Sequence, residues 1–165
     1  MRIFILSISL FFSIIASAQS SLDELLRLYN NQSIPYISVS TLKTIQDTVL
    51  VLDARERKEY QISHLKEAIH VGYDNFKIDS ITKQHIPKDS HIVVYCSISI
   101  RSEDISEQLK KAGYTNVYNL YGGIFEWKNR GMPILNAKEE LTDEVHTYSE
   151  EWSKWLFKGK KIYSN

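Results

Sequence analysis

The sequence predicts an α/β fold: an open, mostly parallel five-stranded sheet with helices on both faces, followed by a C-terminal helical extension. Two patterns carry this expectation. Short apolar runs rich in β-branched residues recur along the chain, and amphipathic segments of helical spacing alternate with them. Runs such as "TVLVLDA" (48 to 54) and "SHIVVYC" (90 to 96) are continuous rather than alternating. That suits strands buried on both sides beneath crossover helices. At 165 residues the chain is long enough for one domain with its own core.

The elements follow in order. "MRIFILSISLFFSIIASAQS" has one early cation, Arg2, an apolar stretch from Ile3 to Ile15, and the small-x-small ending Ala16-Ser17-Ala18. This form predicts a signal peptide over 1–18, hence an exported, periplasmic or secreted protein that keeps no membrane attachment after cleavage. Residues 19–35, with "SSLDELLRLYNNQS", read as a helical lead-in. The domain proper is expected over 36–134. Its strands are "YISVS" (36 to 40), "TVLVLDA", "AIHV" (68 to 71), "SHIVVYC" and "NVYNL" (116 to 120). Ser40 is placed to cap a helix over "TLKTIQ", and "ERKEYQIS" (56 to 63) and "GIFEWKNRG" (123 to 131) are further helices. In "SEDISEQLKKAG" (102 to 113), Ile105 and Leu109 are four apart, acids lead, lysines close, and Gly113 sits where a left-handed C-cap belongs. Residues 135–165 form the extension. Its Ser149 is an N-cap candidate, Trp152, Trp155 and Leu156 share a helical face, and Gly159 is a terminator. Such a helix either covers apolar surface of the domain or offers a docking face to a protein partner.

The 20 basic and 20 acidic residues balance, so charge predicts no nucleic-acid partner and points instead to small solutes or proteins. The five histidines show no ligand spacing, so no metal site is expected. Cys96 is the only cysteine and cannot form an internal disulfide. It closes an apolar run, at the strand end where ligands of open α/β sheets bind. Ser97-Ile98-Ser99-Ile100-Arg101 then leads into a helix beginning near Ser102. A strand, tight loop and helix in that order can turn successive amide N–H groups and a helix N-terminus toward whatever the sulfur carries. Both favour the thiolate, as does Arg101 if its side chain faces the loop, whereas Glu103 and Asp104 oppose it. The bland alternative is a cysteine that merely fills space at the end of a strand.

Three blocks give the chain a resemblance to the single-domain rhodanese-like proteins. "VLVLDARERKEYQISHLKEAIHV" resembles that family's strand, Asp-x-Arg and Gly-His-Ile-x-Gly-Ala block; "VVYCSISIRS" resembles its Cys-x-x-Gly-x-Arg-Ser loop; "VYNLYGGIFEWKNRGMPI" resembles its closing Leu-x-Gly-Gly, Trp and Gly-x-Pro pattern. The resemblance implies an exported sulfurtransferase without metal or organic cofactor. Cys96 would take sulfur from a donor such as thiosulfate or a polysulfide as a persulfide, and pass it to a thiol or other thiophilic acceptor. Ser97, Ile98, Ser99, Ile100, Arg101 and Ser102 would bind the small sulfur-containing anion, and Asp53, Arg55 and His64 would be structural. Arg55 and Glu59, four apart, are spaced for an ion pair. Four residues separate Cys96 from Arg101, against five in the related phosphatases, which favours sulfur over phosphate as the atom held. Ser99 stands at the loop glycine, and Ser63 and Glu67 stand at two glycines of the middle block. These departures leave a runner-up of another class, a protein-binding module with weak or no turnover. Thiol exchange with a partner is a third reading, lacking an internal resolving cysteine.

Overall fold

The computed structural model describes residues 22–163, which fall into two units, one ending at Asn31 and the other starting at Gln32. Within the first, residues 22–29 form a helix, α1. Everything that follows belongs to the second.

The second unit is built on five strands: β1 (Tyr36–Ile37), β2 (Leu50–Asp53), β3 (Ile69–His70), β4 (Ile92–Tyr95) and β5 (Val117–Leu120). Their order is β1-β5-β4-β2-β3, and every pairing is parallel. The central strands β2 and β4 pair in full register from Leu50↔Ile92 to Asp53↔Tyr95. All four residues of β4 are buried, as a strand covered on both faces must be. Leu52, Ile92, Val94, Ile105, Leu109 and Val117 meet in one core cluster that also takes in Cys96.

Helices α2 (Val39–Ile45), α3 (Arg57–Ile62), α4 (Asp79–Thr82), α5 (Arg101–Lys111) and α6 (Gly123–Asn129) connect or follow the strands. The first begins two residues earlier than Ser40 predicts, because the Ser38 hydroxyl accepts the Thr41 amide at 3.1 Å and is the true cap. Helix α3 starts with a capping box between Glu56 and Glu59. Helix α5 matches the expected segment, and Gly113 takes φ 94° just past its end.

The C-terminal extension is present, but its helix, α7 (Glu150–Ser153), is a single turn capped by Ser149. Short strands make up much of the rest. The strand β6 (Ile134–Leu135) pairs antiparallel with β7 (Leu141–Thr142), and β8 (Glu144–His146) pairs parallel with β9 (Lys160–Ile162). Gly159 turns the chain into that last strand at φ 100° rather than ending a long helix.

Candidate active site

Cys96 follows β4 directly, so its sulfur stands at the carboxyl end of a central strand, with 1% of the residue exposed. The loop that follows is held from behind by its carbonyls. The carbonyls of Cys96 and Ser97 accept the Ile124 and Phe125 amides at the start of α6, at 2.9 and 3.2 Å, and the Ser99 carbonyl accepts Asn119 Nδ2 at 2.9 Å. In a trans peptide the N–H points opposite its own carbonyl. The amides of Ser97, Ile98 and Ile100 are therefore turned away from these anchors. Helix α5 starts at Arg101 and brings its N-terminus to the same loop.

Close packing with α6 explains one glycine. A Cβ on Gly123 would fall 2.2 Å from the Cys96 carbonyl oxygen, and its φ is 56°. Ser99, which stands where the resembled loop has a glycine, adopts φ 79°, a left-handed conformation that favours glycine. Its hydroxyl donates to the Leu120 carbonyl at 2.5 Å, which offsets part of the strain. Glu67, at another glycine position of that pattern, likewise has φ 60°. The Ser102 hydroxyl lies 2.7 Å from Asn119 Oδ1 and 3.4 Å from Cys96 Sγ. Its single proton serves one of these acceptors at a time, so rotation can direct it to an ionised sulfur.

Arg101 does not pair as its place in the loop suggests. Its guanidinium forms a two-pronged bridge to Glu59, Nη1 to Oε2 at 2.7 Å and Nη2 to Oε1 at 2.8 Å, and Nη2 also donates to Ser97 Oγ at 3.1 Å. Burial pulls the Arg101 pKa down, but the Glu59 hydrogen bonds and the charges of Cys96 and Glu59 hold it above its ordinary value. Burial also pushes the Glu59 carboxyl up, yet Arg101, then Arg55 and the Glu56 amide, bring it down to about 2. The expected pair between Arg55 and Glu59 is replaced by two others, Arg55 with Asp53 and Arg101 with Glu59. Asp53, Arg55 and Tyr95 form a buried network: Arg55 Nη2 donates to Asp53 Oδ2 at 2.6 Å and to the Ser63 carbonyl at 2.6 Å, and Tyr95 donates to Asp53 at 2.5 Å. His64 is buried, stacked on Tyr60 at 4.1 Å, with Nδ1 against the Tyr60 carbonyl.

A cavity of about 280 Å³ opens above the sulfur. Ser97, Ile98, Ile100 and Arg101 line it from the loop. Three aromatic residues that the sequence reading did not assign to the site, Tyr73, Tyr148 and Trp152, complete the lining. Tyr73 donates to Asp104 Oδ2 at 2.6 Å, and that bond, then burial, pushes its phenol up to about 12, so it stays neutral. Tyr148 lies over the Arg101 guanidinium, 5.2 Å from carbon to ring centre. Behind it His146 is buried, with Nδ1 3.9 Å from Glu59 Oε1. Burial lowers the His146 pKa against the pull of Glu59. The only signal for Tyr148 and Trp152 was aromatic content in the tail, which carries no spacing tied to Cys96, and Tyr73 had no signal of its own. Among the described residues no group of His, Cys, Asp and Glu could hold a metal ion.

The profile of the Rhodanese-like domain matches residues 38–130. The chain belongs to this family. Among the relatives of the rhodanese-like chain is the tRNA uridine(34) hydroxylase of Aster yellows witches'-broom phytoplasma (strain AYWB), 34% identical over 111 residues, which are 65% of this chain and 36% of the relative. The protein of the same name from Sodalis glossinidius (strain morsitans) is 32% identical over 120 residues, 66% of this chain and 34% of the relative. The chain thus spans about a third of the length of these curated relatives. The thiosulfate sulfurtransferase from Pseudomonas aeruginosa shares the fold, with a TM-score of 0.59 at 19% identity, over 76% of this chain and 24% of that one.

These findings correct several expectations while the coarse one, an enzyme, stands. The curated relatives carry the name of a tRNA hydroxylase, which overturns the exported sulfurtransferase with its sulfur-anion donor and thiol acceptor; the binding-module alternative gains no support either. The same name overturns the exclusion of nucleic acid. Whole-chain charge is too coarse for that exclusion when the chain spans only part of its relatives. The signal-peptide, periplasmic and secreted readings have no support, and residues 1–18 lie outside the described residues. An apolar run of that length is a pattern several kinds of segment share. On the C-terminal helix, expected either to cover apolar surface or to offer a docking face, Trp152 lines the cysteine cavity.

Proposed function

We propose that the chain is the cysteine-bearing catalytic unit of a tRNA uridine hydroxylase, with Cys96 as the reacting group. One observation carries the reading: the cavity above the sulfur has apolar and aromatic walls, and the charge of Arg101, which lines it, is already matched by Glu59. A small anion gains little there. A neutral flat ring gains apolar contact and stacking, and enzymes that modify a base commonly take it out of the stack into such a pocket. The relatives' name supplies the ring, a tRNA uridine at position 34.

The chemistry that fits begins with the thiolate, favoured by the α5 N-terminus, adding to C6 of the uracil. The S–C6 bond forms, and the C5=C6 electron pair moves toward C5 and the O4 enolate. The electron-rich C5 then takes an oxygen atom from a two-electron oxidant of the peroxide class, whose O–O bond breaks and whose leaving oxygen takes a proton. Loss of the C5 proton restores the double bond and expels the thiolate. The net change is C5–H plus ROOH to C5–OH plus ROH.

The test uses the full chain, an anticodon stem-loop RNA with uridine at position 34, and a hydroperoxide. Nuclease digestion and mass spectrometry should find uridine heavier by one oxygen, and Cys96→Ser should abolish the gain. RNA carrying 5-fluorouridine at that position should be retained covalently on wild type, not on Cys96→Ser. Neither product nor adduct under any donor would overturn the reading.

A further inference from the structure

The aromatic side of the cysteine cavity comes in large part from outside the region that the family profile matches. That profile ends at residue 130, whereas Tyr148 and Trp152 belong to the C-terminal extension. Tyr148 is unusual twice over. It holds φ 63°, a conformation costly for a non-glycine residue, and it leaves 55% of a large aromatic side chain exposed. A strained, exposed residue at a cavity mouth points to use. Its position is also built rather than incidental. The Tyr148 amide donates to His146 Nδ1 at 3.0 Å, and His146 is itself buried beside Glu59. The ring lies over Arg101, which Glu59 fixes by two hydrogen bonds. Trp152 is positioned in turn by Ser149, whose hydroxyl accepts the Trp152 amide at 3.4 Å.

We infer that Tyr148 and Trp152 are base-binding residues of the Cys96 site, presenting aromatic faces to a pyrimidine ring drawn out of an RNA strand into the cavity. The inference rests on the uridine reading above and adds the residues that recognise the ring. Stacking on aromatic side chains accepts any flat ring, and the cavity of about 280 Å³ limits the size of what enters.

The test measures binding of a fluorescein-labelled anticodon stem-loop to the full chain without oxidant. Two RNAs are compared, one with uridine and one abasic at position 34. Wild type should prefer the uridine RNA roughly tenfold, the scale of one stacked base. Tyr148→Gly, which removes the ring and relieves the backbone, and Trp152→Ala should each erase most of that preference. Tyr148→Phe and Trp152→Phe should keep it. In turnover the two truncations should raise KM with kcat little changed. Tyr148 is exposed, so Tyr148→Gly tests the idea even where Trp152→Ala does not fold. Cys96-dependent hydroxylation with an unchanged preference in both truncations overturns this inference and leaves the enzymatic reading intact. A preference that depends on these aromatics, in a chain that never hydroxylates, supports the recognition role and sinks the hydroxylase. Equal binding of the two RNAs by wild type overturns the inference outright.

Discussion

At Glu59 a carboxylate with no exposed surface stays ionised because Arg101 grips both of its oxygens. The residue was legible in the sequence as an acid four places after Arg55, but spacing along one helix could not reveal a partner 42 positions away. The depressed pKa has a definite sign. Folding lowers the Glu59 pKa from 4.5 to about 2, so its stabilisation is fully present above about pH 4.5 and is lost as pH falls toward 2. A shift of that size corresponds to about 3 kcal/mol. Glu59→Gln should therefore lower stability near neutral pH by about 3 kcal/mol, leaving Arg101 without its counter-charge. Urea midpoints of wild type and variant should converge between pH 4.5 and 2. A gap that stays constant over that range would contradict the assignment. Ser99 shows the opposite kind of legibility: it stands at a loop glycine of the resembled pattern, and its φ of 79° is a conformation that favours glycine.

At the scale of elements, the start of α6 acts as the floor on which the cysteine loop rests. The Gly122-Gly123 pair reads in sequence as a turn feeding a helix, and so it is, but contact decides more than the turn does. A methyl group on Gly123 would run into backbone atoms of Cys96 and Ser97. Gly123→Ala should cost about 2 to 4 kcal/mol, displace the loop and abolish activity. Gly131 supplies the control. It has φ 75° but nothing within 4 Å of an added Cβ, so Gly131→Ala should cost only about 1 kcal/mol of backbone strain and leave activity unchanged. Thermal unfolding and turnover of the two variants would check the contrast; equal effects would mean that conformation alone, not contact with the loop, constrains Gly123.

For the whole molecule, balanced charge and an apolar cavity set how RNA should bind. With 20 basic and 20 acidic residues, the chain has little net attraction for phosphates. Affinity for an anticodon stem-loop should come mainly from the ring, with fewer than about three phosphates neutralised. The slope of log K against log salt should then be shallower than about −2. Fluorescence anisotropy across a salt series checks this, and a steep slope would place binding on a basic surface instead. The same balance, read alone, had argued against nucleic acid altogether. It describes the average field of the molecule and is silent about a neutral base entering a pocket.

The sequence by itself determined the five strands of the parallel sheet along the chain, most of the helices between them, and the strand-loop-helix that carries Cys96, but not the one-turn α4 or the short strands β6 to β9. Those features depend on periodicity, caps and turn residues within a few positions of one another. The tertiary structure decided which charges meet and what roofs the sulfur. Arg101 is claimed by Glu59 from α3, and Tyr148 and Trp152 arrive from the far end of the chain. Such contacts join segments remote in sequence, where no local pattern records them, and they give a site expected for small anions an aromatic lining and an arginine already paired.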